Sequence, residues 1–287
     1  MTAASPAASL AELHRQAAER GLARFRVLSK AELLQALAEP VTPPEPPPPV
    51  RLELDGPLAT IVLDDAATRN ALGRAAMEAF EAVLDRLESD HAVRLVAVVG
   101  TAGVFCSGAR VHEFDTDDGG AELTDRGSAL LDRLAALPVP VVALVNGPAV
   151  GAGTELALAA DWRLVAPDGD LRFVHVGLGL VPAFGGTTRL REIVGAGAAL
   201  LLLGARAAVD ADGAVRLGLA SEIVPADELR ERARDLAEHL EDSDRAAVAA
   251  VKRTLAVAAD AARAAERAAF LEAWPNRRLE RVPRSGH

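Results

Sequence analysis

Two periods of apolar residues run through this 287-residue chain. Alternation predicts strands over residues 51–55 and 58–64, around a Gly56-Pro57 turn. Unbroken apolar runs predict buried strands at 95–99 and 141–145, with shorter ones at 162–166 and 221–224. A 3.6-residue period places Met77, Phe80, Val83, Leu84 and Leu87 on one face of a helix over 75–87. Further helices are expected over 123–136, 154–160, 185–194, 196–203 and 211–217, and from 226 to about 274. Strands alternating with helices predict an α/β fold, with a largely parallel sheet covered by helices.

The pattern differs before residue 50. Residues 1–39 form a small helical extension. Ser9 caps a helix over 10–20 that Gly21 ends, and Ser29-Lys30-Ala31-Glu32 is a capping box opening a helix over 30–38. Residues 40–49 hold seven prolines, so they predict an extended, semi-rigid linker. Four segments result: extension 1–39, linker 40–49, core 50–225 and C-terminal helical region 226–287. Residues 13–37 resemble the small N-terminal module of the transcription terminator Rho, which binds nucleic acid. Here basic and acidic residues nearly balance, which favours a docking or structural role.

Half the residues are apolar, ample for a packed core. The longest apolar runs, such as 196–203, are too short to span a bilayer. The N-terminus lacks a basic region followed by an apolar stretch, so no secretory signal is expected. A single cysteine suits a reducing cytoplasm. The net charge of −10 argues against nonspecific nucleic-acid binding. Tyrosine is absent, which closes off phenol chemistry. The six histidines are scattered and Cys106 has no partner cysteine, so no metal site is expected.

Candidate chemistry concentrates in residues 105–114 (FCSGARVHEF) and 145–161 (VNGPAVGAGTELALAAD). Each reads as an apolar strand running into a small-residue turn that opens a helix. Such turns leave backbone N–H groups uncovered at the positive end of a helix. Two of them facing one another can hold one developing negative charge, as an oxyanion hole does.

These segments, with Asn70-Ala71-Leu72, Gly179-Leu180-Val181-Pro182, Gly185-Gly186-Thr187-Thr188-Arg189-Leu190 and residues 214–225 in the same order, resemble the crotonase (enoyl-CoA hydratase/isomerase) superfamily. The resemblance covers about residues 50–255. It implies a spiral of ββα turns with a C-terminal helical trimerisation region, hence a homotrimer or a hexamer of two trimers. It also implies an acyl-CoA or acyl-carrier-protein thioester substrate, with coenzyme A entering only as part of that substrate and no other cofactor. By position, the enolate-holding N–H groups fall at Ala109 and Ala152. Arg69, Ala71, Gly108, Ala109 and Gly151 fall where the family holds the thioester and its coenzyme A.

Hydratases of the family place two glutamates beside the acyl chain. One falls at Glu155. The other should lie seven residues before Pro182, where this chain has His175. A Glu–His pair remains capable of acid–base work, because imidazole titrates near neutral pH. His112, Cys106 and Arg110 lie near the first turn, as a lesser proton-transfer candidate, a packing thiol and a surface residue. The lysine-bearing C-terminal helix of many family members is expected to be shortened or missing. The resulting expectation is a lyase or hydratase outside central β-oxidation. The alternatives are a decarboxylase or double-bond isomerase, or a non-catalytic acyl-thioester-binding protein that recruits a partner through its extension.

Overall fold

The computed structural model describes residues 8–19, 25–38, 47–116, 118–256, 267, 268, 270, 271 and 274–276. Contacts divide the chain into two units, Met1–Pro47 and Pro48–His287, meeting within the proline run.

In the first unit, α1 (Leu10–Glu19) and α2 (Lys30–Ala38) flank a single 3-10 turn, Phe25–Val27. Leu13, Ala17, Leu33 and Leu37 form its small core. Ser9 Oγ accepts from the Glu12 N–H at 3.2 Å. The capping box closes as its sequence requires: Ser29 N–H donates to Glu32 Oε2 at 2.7 Å, and Glu32 N–H donates to Ser29 Oγ at 3.4 Å.

The second unit begins with β1 (Val50–Asp55), β2 (Leu58–Leu63), α3 (Arg74–Ser89), β3 (Leu95–Gly100), α4 (Gly119–Ala136) and β4 (Val141–Val145). There follow β5 (Ala149–Val150), α5 (Ala152–Ala159), β6 (Trp162–Val165), β7 (Asp170–Arg172) and α6 (Gly186–Gly204). The last elements are β8 (Ala208–Asp210), α7 (Ala211–Arg216), β9 (Glu222–Ile223), α8 (Leu229–His239) and α9 (Arg245–Leu255). The main sheet runs β1-β2-β3-β4-β6-β9, with β1 antiparallel to β2 and the remaining pairs parallel. Its middle strands are wholly apolar because both faces are covered. Val96, Val98, Val141, Ala143 and Val145 face the larger core with α3, α4 and α5. Leu95, Ala97, Val99, Val142 and Leu144 face the other way, toward Leu229, Ala233 and Ala237 of α8.

The structure corrects some expectations. Segments 185–194 and 196–203 are not among them: both helices expected there are present within α6, where Gly195, at φ +79° and ψ +162°, breaks the helix between them. The helical region expected from residue 226 contains α8 and α9, with Asp244 capping α9 by accepting from Ala247 N–H at 2.7 Å. A second sheet, β5-β7-β8, was not expected at all. The segment after the first motif is only a 3-10 turn, Val111–Phe114. The expectation about the C-terminal helix falls on residues outside those described.

Candidate active site

At the carboxyl ends of β3 and β4 the chain leaves the sheet in two adjacent turns, the edge where parallel sheets usually bind ligands. Asn146 ties the strand ends together. Its Oδ1 accepts from Gly100 N–H at 3.2 Å and its amide donates to the Gly100 carbonyl at 2.8 Å. Further out, Val150 N–H donates to the Cys106 carbonyl at 2.9 Å, and Cys106 N–H donates to the Pro148 carbonyl at 3.3 Å. Gly108 has φ +106°, and a Cβ there would stand 2.9 Å from the Val150 carbonyl oxygen. Only glycine permits that approach.

Ala152 is the first residue of α5, so its N–H has no acceptor within the helix. Among the described residues, neither the Ala109 nor the Ala152 N–H donates to another protein group. Both residues line a cavity of about 280 Å³, as do Gly108 and Gly151. The remaining wall is mainly apolar, with Val150, Val174, Phe184 and Phe270 among its residues.

The polar exceptions in that wall include Glu155 and His175. Helix α5 is buried over its whole length, so Glu155, 2% exposed, must find partners inside the protein. Its Oε1 accepts from Phe184 N–H at 2.7 Å and Gly186 N–H at 3.1 Å, at the start of α6. Its Oε2 stands 3.2 Å from His175 Nε2. His175 opens a 3-10 turn, His175–Leu178, and its carbonyl accepts from Leu180 N–H at 3.1 Å. The other ring nitrogen, Nδ1, is buried and meets no protein partner among the described residues.

Other sequence candidates fall outside the cavity wall. Arg69 and Ala71 do not line it, although the Arg69 carbonyl accepts from the N–H of Ser107, which does. Arg69 and Asn70 both have left-handed φ, +58° and +61°, a strained pair that the buried Asn70 side chain holds by donating to the Thr101 and Val104 carbonyls. His112 is outside the wall while its neighbour Val111 is in it. Arg110 pairs with Glu113 at 3.0 Å. Cys106 is fully buried, and burial pushes its thiol up to about 12, which makes it inert. Among the described residues, no group of three His, Cys, Asp or Glu side chains is placed to hold a metal ion, and no helix is long and apolar enough to cross a membrane.

Sequence reasoning missed the Phe184 and Gly186 N–H groups that hold Glu155. The available signal was the Gly185-Gly186 pair opening a helix.

Comparison with known proteins agrees with this architecture. A family model, enoyl-CoA hydratase/isomerase, matches residues 53–274. A short-chain-enoyl-CoA hydratase of Clostridium acetobutylicum is 32% identical over 232 residues, covering 78% of this chain and 89% of its own. A probable enoyl-CoA hydratase of Bacillus subtilis is 36% identical over 155 residues, 53% of this chain and 60% of its own. An ethylmalonyl-CoA decarboxylase of Danio rerio is 35% identical over 192 residues, 66% of this chain and 64% of its own. The chain thus spans less than two thirds of the length of these last two relatives. The solved structure of an enoyl-CoA hydratase from Bacillus anthracis superposes with a TM-score of 0.70 at 26% identity, covering 78% of this chain and 89% of its own. The chain belongs to the enoyl-CoA hydratase/isomerase family.

Proposed function

We propose that this family member adds water to, or removes it from, an acyl thioester, with His175 moving the proton and the Ala109 and Ala152 N–H groups holding the enolate oxygen. One observation carries the reading. The Glu155–His175 contact of 3.2 Å stands in the wall of the same cavity as those two N–H groups.

A carboxylate only accepts hydrogen bonds, so Nε2 of a neutral His175 carries the hydrogen and Nδ1 keeps its lone pair. In the hydration direction a water oxygen bonds to the β-carbon while its proton passes to the Glu155–His175 pair. The electrons of the double bond move onto the thioester oxygen, between the two N–H groups. His175 then returns the proton to the α-carbon, leaving a 3-hydroxyacyl thioester. Each preorganised donor is worth about 3 to 4 kcal/mol of barrier in comparable sites. Glu155 orients the imidazole and stabilises its charged form. The apolar wall suits an aliphatic acyl group. Coenzyme A or a carrier protein enters as part of the substrate, near Arg69, Ala71, Gly108 and Gly151.

The test is His175→Ala, with single-turnover conversion of a 2-enoyl or 3-hydroxyacyl thioester as the readout. The rate is expected to fall by about 10² or more, the usual worth of a general acid–base group. Unchanged chemistry removes His175 from the mechanism. A second reading, decarboxylation of a 2-carboxyacyl thioester, draws support from the decarboxylase relative and from the pairing of one proton carrier with an oxyanion hole. Carbon dioxide release from that substrate separates it from hydration.

A further inference from the structure

The two N–H groups that hold Glu155 belong to a turn, residues 183–186, that is itself fixed by side chains far from the cavity chemistry. Helix α4 supplies most of them. Thr124 and Ser128 hydroxyls both donate to the Ala183 carbonyl, at 2.9 and 2.7 Å. Gly127 lies flat against the Phe184 ring, where a Cβ would come within 2.1 Å of it. Arg189, buried on the first turn of α6, donates through one nitrogen to the Phe184 carbonyl at 2.5 Å and through another to Asp132 Oδ1 of α4 at 2.6 Å. Its guanidinium fills the space beside Gly185, where a Cβ would stand 2.5 Å from Nη1. Beside Gly186 the equivalent space is filled by Glu155, 2.5 Å from Cγ.

The order of contacts is therefore a chain. Asp132 holds the guanidinium, the guanidinium holds the Phe184 carbonyl, and the same peptide segment presents Phe184 and Gly186 N–H to Glu155. A buried arginine needs several acceptors to offset its desolvation, and its planar fork fixes two of them at set directions. This use of the fork differs from the other ion pairs on α4. Arg126 joins α4 to Glu81 of α3 at 2.8 and 2.9 Å, an arrangement that tightens helix packing without touching the turn.

We propose that the Asp132–Arg189 pair is a latch that positions Glu155, and through Glu155 sets which nitrogen of His175 carries the hydrogen. This rests on the reading of Glu155 and His175 as the reacting pair. Arg189 and Asp132 are positioning residues, since neither lines the cavity. Without the latch the turn gains freedom, the two N–H donors no longer face Oε1 together, and the Oε2–Nε2 contact loosens. The oxyanion turns are untouched, so the larger effect falls on kcat, and KM changes only as far as Phe184 shifts in the wall.

The test compares Asp132→Asn with Arg126→Gln in the full chain, with Ser128→Ala as a milder second probe of the same turn and Asp132→Glu as the rescue. Asp132→Asn is expected to lower kcat by about tenfold, less than the ~10²-fold that a full ångström of misplacement can cost, with a smaller change in KM. Ser128→Ala should lower kcat less, Asp132→Glu should restore most of it, and Arg126→Gln should leave it unchanged. Nitrogen-15 spectra of histidine-labelled protein, with His175 identified from the signal lost in His175→Asn, give a readout independent of turnover. The wild type should show neutral His175 with its hydrogen on Nε2, and Asp132→Asn a mixture of both forms. Unchanged kcat and spectrum in Asp132→Asn would overturn the latch, as would an equal loss in Arg126→Gln. If Asp132→Asn fails to fold, Ser128→Ala decides by the same two readouts. If the wild type turns over no thioester, the functional reading fails while the spectra still decide the latch.

Discussion

Two glutamates in this protein use one device for different ends. Glu113 Oε2 accepts from the N–H of Arg74, the first residue of α3, at 2.8 Å. Glu155 Oε1 accepts from Phe184 and Gly186 at the start of α6. Each is an anion at the positive end of a helix to which it does not belong. Each faces a glycine that a methyl group would push against it: Gly73 at 2.7 Å from Glu113 Oε2, and Gly186 at 2.7 Å from Glu155 Oε1. The difference lies in the second partner. Glu113 pairs with Arg110, a permanent cation that is 42% exposed. Glu155 pairs with His175, 8% exposed in the cavity wall, whose ring can carry its hydrogen on either nitrogen. A carboxylate on a helix start is thus only an anchor. What it anchors differs: an exposed ion pair at Glu113 and, under the proposed function, the reacting imidazole at Glu155.

The sharpest way to break this comparison is to neutralise each carboxylate by an isostere. In Glu155→Gln the amide oxygen can still accept from Phe184 and Gly186, but the amide nitrogen then faces Nε2. The ring must turn its hydrogen onto Nδ1, which undoes the Oε2–Nε2 arrangement on which the proposed proton transfer rests. Steady-state turnover is expected to fall by about 10² or more, with a small change in melting temperature. Glu113→Gln should leave kcat intact and cost under about 1 kcal/mol, the range of an exposed pair. Equal losses of kcat in both variants would erase the distinction.

A gentler contrast uses the glycines. Glu113 is partly exposed and can swing aside from a methyl group at Gly73. Glu155 is enclosed, so Gly186→Ala must displace it or move the turn. Gly186→Ala is expected to destabilise by about 1 to 3 kcal/mol, as overpacking does, and to lower kcat. Gly73→Ala should do neither, as thermal unfolding and steady-state rates would reveal.

The smallest effect concerns Cys106, which shares the turn with Ala109 yet is fully buried. Its thiol is raised from 9.0 to about 12 by burial, so the native protein should resist alkylation at pH 8 without loss of rate. The sign of its linkage follows. The unfolded chain ionises this thiol first, so its contribution to stability is complete below pH 9 and declines between pH 9 and 12. Denaturant titrations across that range would show a larger decline in the wild type than in Cys106→Ser. Rapid alkylation of folded protein would contradict the assignment.

Much of the fold was legible because its signals are local. The run 95–99 reads as a buried strand from its own apolar residues, and Ser29-Lys30-Ala31-Glu32 reads as a cap from its own spacing. The small sheet was not legible, since β5, β7 and β8 have only two or three residues each and exist because other elements bring them together. The start of α9 carries its signal in Ser243-Asp244, a capping sequence.

The site divides the same way. Sequence alone determined the two small-residue turns, the glutamate on the second of them and the histidine counted back from Pro182. The turns follow from residue types within one segment, while Glu155 and His175 follow from the resemblance to the family's motifs, counted by position. Only the tertiary structure decided that Glu155 and His175, twenty residues apart, meet at 3.2 Å. It alone decided that Glu155 is held by Phe184 and Gly186, and that Asp132 reaches Arg189 across 57 residues. Such contacts depend on how the chain returns through the main sheet and on which buried charges then lack water. A linear pattern carries the demand for a partner, and packing chooses it.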